Sequence, residues 1–309
     1  MTDLPTEEEY IRNAPPSRKA RLFLAASLLI FLAAFSVLFL ALYREKFSTE
    51  TVQKPEILFK EDHACDVWFL NAGASDSTLM HTPEGRWALI DCGQQEDSET
   101  LCRILEEKGV RTISWLILTY DHPMRTGGLR SVFERFDVKT VCFAAPPSQD
   151  TKQILTNASV SSGTEILKLT ASIEPAISAG PDVSIFVLSP LDASYPVPGE
   201  DSVVLKISQG NTSVLLNSEA DPLSERLILK AFPNRLLRSD IVRFDPQSGE
   251  GQIGKKFLKA IKPSLAILSR CSDDPSIEYL RKKGIEIRTL EEGTVHIRLD
   301  GNSFRVVEY

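Results

Sequence analysis

An apolar strand that ends in a loop of polar side chains constrains the fold of this chain more than any other stretch. Residues 115–129 read W-L-I-L-T-Y-D-H-P-M-R-T-G-G-L. The run 115–118 predicts a short buried strand, and a Gly-Gly pair closes the loop before a helical pattern begins. Functional residues often lie on a loop that follows a buried strand. We therefore expect the functional site here, with three polar side chains on the loop: Tyr120, Asp121 and His122.

A second stretch, residues 22–43, predicts a membrane span. It begins with Leu22, ends with Tyr43 and contains no charged residue in its 22 positions. As a helix it is roughly 30 Å long, which matches the hydrocarbon core of a bilayer. The alternatives are a buried helix of a soluble domain and a cleaved signal peptide, and the run is long for both. We predict one transmembrane helix, preceded by a disordered tail over 1–21.

The charges that flank this run predict its orientation. The N-terminal side carries more cations than the C-terminal side: Arg12, Arg18, Lys19 and Arg21 against Arg44 and Lys46. The positive-inside rule then places the N-terminus in the cytoplasm. We expect a single-pass protein of the cell membrane with a linker over 44–62 and an extracytoplasmic main domain over 63–309.

The composition gives no support for several classes of site. A formal net charge of -7 and a pI near 5.3 give no electrostatic support for binding nucleic acid. The five cysteines show no C-x-x-C spacing, which argues against a disulfide scaffold and a zinc ribbon. Histidine, a common metal ligand, occurs only four times. Besides His122, we expect three of these on the surface: His63, His81 and His296.

From Asp66 onward, strands and helices alternate. The pattern predicts strands at 67–70, 77–81, 86–90, 115–118, 140–143, 165–169, 183–188, 203–208, 212–216, 241–244, 265–268, 285–290, 294–299 and 303–307. It predicts helices at 98–108, 129–135, 221–232, 253–261 and 277–283. Gln209-Gly210-Asn211 predicts a hairpin turn between two of the strands. This order is typical of a mixed α/β sandwich with two similar halves.

Five segments in this order resemble the metallo-β-lactamase fold. Residues 67–79 read V-W-F-L-N-A-G-A-S-D-S-T-L, and 86–93 read R-W-A-L-I-D-C-G. Residues 116–129 stand where the family has L-I-L-T-H-x-H-x-D-H-x-G-G-L, and 201–220 and 239–269 resemble its later motifs. The closest resemblance is to the metallo-β-lactamase-like domain of ComEC-type competence proteins. It implies an α/β fold, an αββα sandwich, here preceded by one transmembrane helix.

The resemblance also implies a metal site, from which this sequence departs. The family's first motif has His, His, Asp and His where this chain has Tyr120, His122, Met124 and Arg125. The family's bridging carboxylate corresponds to Glu219. The Gly-His-His-Gly-Ser loop corresponds to 245–249, which begins with Asp245 and contains no histidine. Two further positions match family carboxylates that do not bind the metal directly: Asp91 and Asp240.

These departures predict the loss of the metal site. Zinc needs about three protein ligands at fixed distances. Only His122 and Glu219 correspond to family ligands, with Asp121 or Asp245 as further candidates. Arg125 cannot be deprotonated, so its cation repels a metal in the same cleft. We expect no cofactor; zinc or manganese would bind only if those four residues form an active site.

The sequence thus favours a pseudoenzyme: a membrane-anchored domain that acts as a binding or scaffold module. Its vestigial cleft would contain Asp91, Tyr120, Asp121, Arg125 and Asp240. One alternative is a metal-dependent hydrolase of the phosphodiesterase or nuclease type with a rearranged one-metal site. A second, from the ComEC resemblance, is an accessory protein in DNA uptake. The expected partners are the lipid bilayer, through residues 22–43, and an unidentified protein or small-molecule ligand.

Overall fold

The computed structural model describes Lys19 and residues 63–308, apart from 74–76, 192–201, 219 and 247–252. The predicted tail, membrane span and linker therefore lie outside the described residues, except for Lys19, and remain predictions. Within the described residues, no helix combines the length and the apolar character that a membrane crossing requires. Residues 59–309 form one compact unit.

The described part of this unit contains fifteen strands and eight α-helices. The strands are β1 (Cys65–Phe69), β2 (Thr78–His81), β3 (Trp87–Ile90), β4 (Thr112–Ile117), β5 (Asp137–Phe143), β6 (Glu165–Lys168), β7 (Ile177–Ser178), β8 (Val183–Ser189), β9 (Val204–Gln209), β10 (Thr212–Leu216), β11 (Ile241–Phe244), β12 (Leu265–Leu268), β13 (Glu286–Thr289), β14 (Val295–Leu299) and β15 (Phe304–Val307). The helices are α1 (Ser98–Glu107), α2 (Pro123–Thr126), α3 (Leu129–Arg135), α4 (Gln149–Ser162), α5 (Pro222–Ala231), α6 (Asn234–Leu237), α7 (Lys255–Ile261) and α8 (Pro275–Lys282).

The strands form two sheets, each with a parallel and an antiparallel part. The first has the order β15-β14-β1-β2-β3-β4-β5-β6, and the second β13-β12-β11-β10-β9-β8-β7. Strands β3 to β6 are parallel, as are β10 to β13. The carboxyl ends of neighbouring parallel strands lie at one edge of a sheet, which is where α/β proteins bind ligands.

Three apolar layers hold the sandwich together. One lies between the two sheets, a second between the first sheet and helices α1, α3 and α4, and a third between the second sheet and helices α5 to α8. Strand β4 shows how the sequence produces these layers. Trp115 and Ile117 pack between the sheets, whereas Leu116 packs against the helices on the other face, because successive side chains of a strand point to opposite faces. The αββα arrangement predicted from the sequence is confirmed.

The main difference from the predicted elements is helix α4, in a region where the sequence pattern indicated no helix. Only three of its fourteen residues are buried, namely Thr151, Leu155 and Ala158, so its apolar stripe is too thin to stand out. The residues at which helix α4 begins and ends do follow the usual capping pattern, however. The Ser148 hydroxyl accepts a hydrogen bond from the Thr151 N–H, and Gly163 ends the helix with a left-handed conformation.

The expectation that three histidines lie on the surface is correct for His63, which is exposed, and wrong for His296. The His296 ring is 7 % exposed. Its Nε2 lies 2.6 Å from an oxygen of Asp66, and the ring stacks on Trp68 with centroids 4.5 Å apart. His81, half-buried, stacks on Trp87 with centroids 4.1 Å apart. Strand alternation places these rings on one face of the first sheet, a juxtaposition that single-strand patterns do not reveal.

The Gly-Gly pair brings the loop after β4 into backbone contact with the segment after β3. The Gly128 N–H donates to the carbonyl of Gly93, and the Cys92 N–H donates to the carbonyl of Arg125. A Cβ at Gly128 would lie 2.3 Å from the carbonyl oxygen of Cys92. Backbone groups this close leave no room for a side chain, so position 128 needs glycine.

We expect Gly128→Ala to lower the free energy of unfolding by about 3 kcal/mol, because the new methyl group must displace the backbone. The matched control is Gly85→Ala. Gly85 has a φ of +77° and nothing within 4 Å of a built Cβ, so only backbone strain of about 1 kcal/mol applies. Urea unfolding of both variants measures the difference. An equal loss of unfolding free energy in the two variants would show that the backbone contact at Gly128 is not tight.

Candidate functional site

The carboxyl ends of the two sets of parallel strands meet at a small cleft, which we call the central cleft. It has a volume of about 320 Å³ including its mouth, and its enclosed part is only about 20 Å³. Such a space holds one or two waters or a single ligand oxygen. The residues that line it are Ser77, Thr78, Ile90, Asp91, Thr119, Arg125, Leu216, Ser218 and Arg243.

Asp91 is the most constrained of these residues. It follows β3 directly, is buried, and has a left-handed backbone with φ 62°. Its Oδ1 accepts a hydrogen bond of 2.8 Å from the Thr119 N–H, and its Oδ2 accepts one of 2.6 Å from the Thr119 hydroxyl. The Ser218 hydroxyl donates in turn to the Thr119 oxygen over 2.7 Å. These bonds connect the end of β3 with the loops after β4 and β10, so they join both sheets at the cleft.

Arg125 supplies the positive charge beside Asp91. It lies on the short helix α2, is 6 % exposed, and places Nη1 2.9 Å from Asp91 Oδ2. Burial raises the pKa of the Asp91 carboxyl, while the Arg125 charge and the Thr119 hydrogen bonds oppose this rise. Asp91 is thus one partner of Arg125, and its carboxylate lies directly against the buried guanidinium.

Asp121 faces away from the central cleft. Its carboxylate accepts a hydrogen bond of 2.8 Å from the Thr151 hydroxyl and another from the Ser148 N–H. It therefore ties the loop after β4 to the first turn of α4, where a negative charge is favourable. With half-buried Tyr120, it lines a separate pocket of about 20 Å³ beside α4. Neither residue lines the central cleft, where the sequence had predicted both.

His122 has a structural role that its sequence position left open. The side chain is exposed, and its Nδ1 accepts a hydrogen bond of 3.3 Å from the Met124 N–H at the start of α2. The ring stacks parallel to Tyr120 with centroids 6.0 Å apart. The nitrogen that accepts the cap hydrogen bond has its lone pair occupied. His122 is therefore a helix cap, as many lone loop histidines are.

Of the remaining predicted ligands, the structure describes Asp245. Asp245 follows β11, and its Oδ1 accepts a hydrogen bond of 2.7 Å from the Ser269 hydroxyl after β12. Glu219 lies outside the described residues, as do 247–249 of the loop that begins at Asp245. The structure thus gives no distance from Glu219 to any other predicted ligand.

Asp240, which the sequence assigned to the cleft, is not among the residues that line it. Asp240 precedes β11 and therefore lies at the amino end of the strand, opposite to Asp245. Its Oδ2 accepts a hydrogen bond of 2.9 Å from the Ser213 N–H. Burial lowers the pKa of Lys206 to about 8, and the Asp240 charge opposes this shift. Asp240 therefore stabilises the strand start and a buried lysine.

Described residues near the loop do not fit a zinc or manganese ion. A guanidinium lies where the family motif has a histidine, Asp121 and His122 are engaged elsewhere, and Asp240 is at the wrong end of its strand. In the part of the chain that the structure describes, no three His, Cys, Asp or Glu side chains converge in a group able to hold a metal. A cation placed beside Arg125 would also be repelled.

Sequence reasoning missed several cleft residues, although signals for them exist. Thr119 and Ser218 follow β4 and β10 as Asp91 follows β3, and strand-end position alone would have found them. Arg243 lies inside the short buried strand β11 and is 7 % exposed. A charged residue in such a strand is unusual and marks a site or a buried ion pair. Ser77 directly precedes β2 and is buried.

Glu225 is a further buried carboxyl that the sequence did not single out. It lies on the inward face of α5, and the Gly254 N–H lies 2.9 Å from both of its oxygens. Burial raises the pKa of Glu225 to about 7, more than this hydrogen bond lowers it. Its position three residues before the buried Ile228 is the sequence signal for an inward-facing side chain.

The chain matches no protein-family model and no curated protein. Solved structures do match. A mutant of the CmlA beta-hydroxylase aligns over 76% of this chain and 54% of its own, with 13% identity and a TM-score of 0.51. A diphosphatase of the PhnP family aligns over 76% and 98%, with 13% identity and a TM-score of 0.47. The metallo-beta-lactamase fold protein YhfI of Bacillus subtilis aligns over 73% and 97%, with 16% identity and a TM-score of 0.45.

The described domain has the metallo-β-lactamase fold. The two packed sheets, the helices on both outer faces and the likeness to CmlA support this statement together. The chain spans about half the length of CmlA, which is a diiron beta-hydroxylase of Streptomyces venezuelae. At this level of identity the likeness concerns the fold alone. Within the metallo-β-lactamase fold, this chain places a buried ion pair at the strand ends.

We expect strong coupling between Asp91 and Arg125 in a double-mutant cycle of Asp91→Asn, Arg125→Met and both together. Each single change leaves the other buried charge unbalanced and costs about 3 kcal/mol or more. The double variant should cost less than the sum by about 2 kcal/mol. The control is the exposed pair Arg103 and Glu107, where coupling should stay below about 0.5 kcal/mol. Additive costs in the first cycle would contradict the ion pair.

We expect stability to fall between about pH 4.5 and pH 7 because of Glu225. Its raised pKa means that the folded state holds this proton more tightly than the unfolded state. The contribution is fully present below the unfolded pKa and is lost as pH rises through about 7. Relative to Glu225→Gln, the wild type should lose up to about 3 kcal/mol across this window. Parallel pH profiles of the wild type and Glu225→Gln would contradict the raised pKa of Glu225. As a control, Glu278→Gln, a change at an exposed residue, should leave the loss of stability across this pH window unaltered.

Proposed function

We propose that this chain is a membrane-anchored, extracytoplasmic module of the metallo-β-lactamase fold that binds a ligand without hydrolysing it. One observation carries the proposal: the buried ion pair between Arg125 and Asp91 in the central cleft, with 2.9 Å between Nη1 and Oδ2. A fixed side-chain cation here does what a metal does electrostatically, since it neutralises buried carboxylate charge. It cannot, however, lower the pKa of a bound water by coordinating it, which is the basis of metal-assisted hydrolysis.

The proposed location rests on sequence. The uncharged run 22–43 and its cationic N-terminal flank support a single span with the N-terminus in the cytoplasm. The resemblance of the motifs to the ComEC-type domain supports a role on the extracytoplasmic side of the cell membrane. The formal net charge of -7 gives nucleic acid no electrostatic attraction, so a role in DNA uptake would have to work through another partner.

A hydrolase with a rearranged one-metal site is the competing proposal, and metal content separates the two. We expect the purified full-length chain to hold well below one equivalent of zinc or manganese after incubation with each ion. His122→Ala should not change this value, because the His122 ring caps α2. Inductively coupled plasma mass spectrometry measures the metal. About one equivalent that is lost in His122→Ala would refute the pseudoenzyme proposal.

A gain-of-metal variant supplies the matched control. The changes Tyr120→His, Met124→Asp and Arg125→His restore the family's first motif on the same loop. Zinc uptake by this variant, but not by the wild type, would show that the backbone remains suitable and that the side chains exclude the metal. Hydrolysis of a phosphodiester or a lactam by the wild type, with any divalent cation, would favour the hydrolase instead.

A further inference from the structure

A groove lies between the end strands of the two sheets, and we call it the edge groove. Among the described strands, β15 ends the first sheet and β13 ends the second. The groove has a volume of about 1020 Å³ including its mouth, and its enclosed part is about 520 Å³. It shares no lining residue with the central cleft. The residues that line it are Arg288, Thr289, Glu292, Gly293, Thr294, Val295, Val306, Val307 and Glu308.

Strand β15 leaves part of its backbone unpaired along this groove. Next to the turn between β14 and β15, the Asp300 N–H donates to the carbonyl of Ser303. Hydrogen-bonded pairs alternate along an antiparallel ladder, so Arg305 and Val307 bond to β14. Val306 therefore turns its N–H and C=O away from β14. Neither group has a hydrogen-bond partner in the described part of the chain.

Strand β13 also turns backbone groups away from its own sheet. The Glu286 N–H donates to the carbonyl of Ser264, beside β12. Alternate residues of a parallel strand bond to the same neighbour, so Ile287 and Thr289 face away from β12. Unpaired backbone groups at a sheet edge bind a further strand. An extended peptide is the kind of ligand that supplies one.

The mouth of the groove carries more negative than positive charge. Arg288 is the one cation among the described lining residues, whereas Glu292 and Glu308 are anions. The Arg288 guanidinium already lies 2.8 Å from an oxygen of Glu286 and 3.8 Å from one of Glu308. Three carboxylates thus surround one guanidinium. This charge disfavours a second copy of the same groove as partner and favours a cationic segment.

The inner wall of the groove is apolar. Val295 is buried, and Val306 packs against the apolar layer between the two sheets. The side chains of a strand alternate between its two faces. A strand added beside β15 would therefore place every second side chain against these valines. The side chains between them would lie in a different direction, where the carboxylates of the mouth are available. The pattern that fits is an alternation of apolar and basic residues.

We propose that the edge groove binds an extended peptide segment with alternating apolar and basic side chains, which pairs with the free edge of β15. The backbone groups of Val306 supply the hydrogen bonds, the valine wall receives the apolar side chains, and Glu292 and Glu308 pair with the basic ones. This inference goes beyond the proposed function and does not depend on it, because the groove and the central cleft share no residue.

Fluorescence anisotropy of the full-length chain at constant ionic strength tests this inference. The probe is a labelled heptapeptide, V-K-V-K-V-K-V, since the four residues of β15 span only about 13 Å. We expect saturable binding at one site. The matched peptide V-E-V-E-V-E-V has the same backbone and the opposite charge, and it should not bind. Absence of binding by the lysine peptide would overturn the proposal.

Variants of the chain test the two kinds of contact separately. Glu292→Gln with Glu308→Gln should weaken binding about tenfold, because two ion pairs at an exposed rim are lost. Val306→Pro should weaken it about fivefold or more, because proline removes the N–H that the peptide would bond. Proline is tolerated on an edge strand where the N–H faces away from the sheet.

The opposite edge of the first sheet supplies matched controls. Strand β6 ends the sheet there. The Leu169 N–H donates to the carbonyl of Phe143, so alternation turns the Ile166 N–H away from β5. Ile166→Pro and Glu165→Gln should leave peptide affinity unchanged. Wild-type affinity in the double glutamine variant or in Val306→Pro would overturn the proposal, and so would an equal loss of affinity in the controls. The metal-content measurements decide the proposed function independently.

Discussion

The arrangement of the cleft depends on balancing one buried charge. A carboxylate or a guanidinium moved alone into a protein interior costs several kcal/mol, and pairing recovers this only with good geometry and further hydrogen bonds. Asp91 meets both conditions, since it pairs with Arg125 and accepts two hydrogen bonds from Thr119. The cation that balances Asp91 is a side chain of the same domain, so this ion pair forms as the domain folds.

The ion pair between Asp91 and Arg125 leaves neighbouring polar side chains available for other contacts. Once Arg125 satisfies the cleft carboxylate, Asp121 is available to bind the start of α4, and His122 to cap α2. Both contacts stabilise the loop after β4 without any ligand. The loop after β4 is thus held by helix caps and one ion pair.

The sequence predicted the backbone more reliably than the side chains. Strands β11 and β12 and helix α3 have the predicted boundaries, since apolar periodicity reports burial directly. Motif correspondence placed Asp91 and Asp245 directly after strands and Arg125 in the segment after β4, as the structure does. It did not show where Asp240 lies, because a four-residue strand has two ends and the motif does not say which end is at the cleft. It also did not point to Ser77, because the burial of this side chain in the cleft is not visible in a linear pattern.

The two halves of the fold contribute equivalent positions to the cleft. Asp91 after β3 and Ser218 after β10 both have left-handed backbones, with φ values of 62° and 41°. Such conformations cost of order 1–3 kcal/mol for residues other than glycine and persist only where the surroundings impose them. Thr119 joins the two residues by accepting from Ser218 and donating to Asp91. The hydrogen bonds through Thr119 and the ion pair with Arg125 are the contacts that hold these two conformations in place.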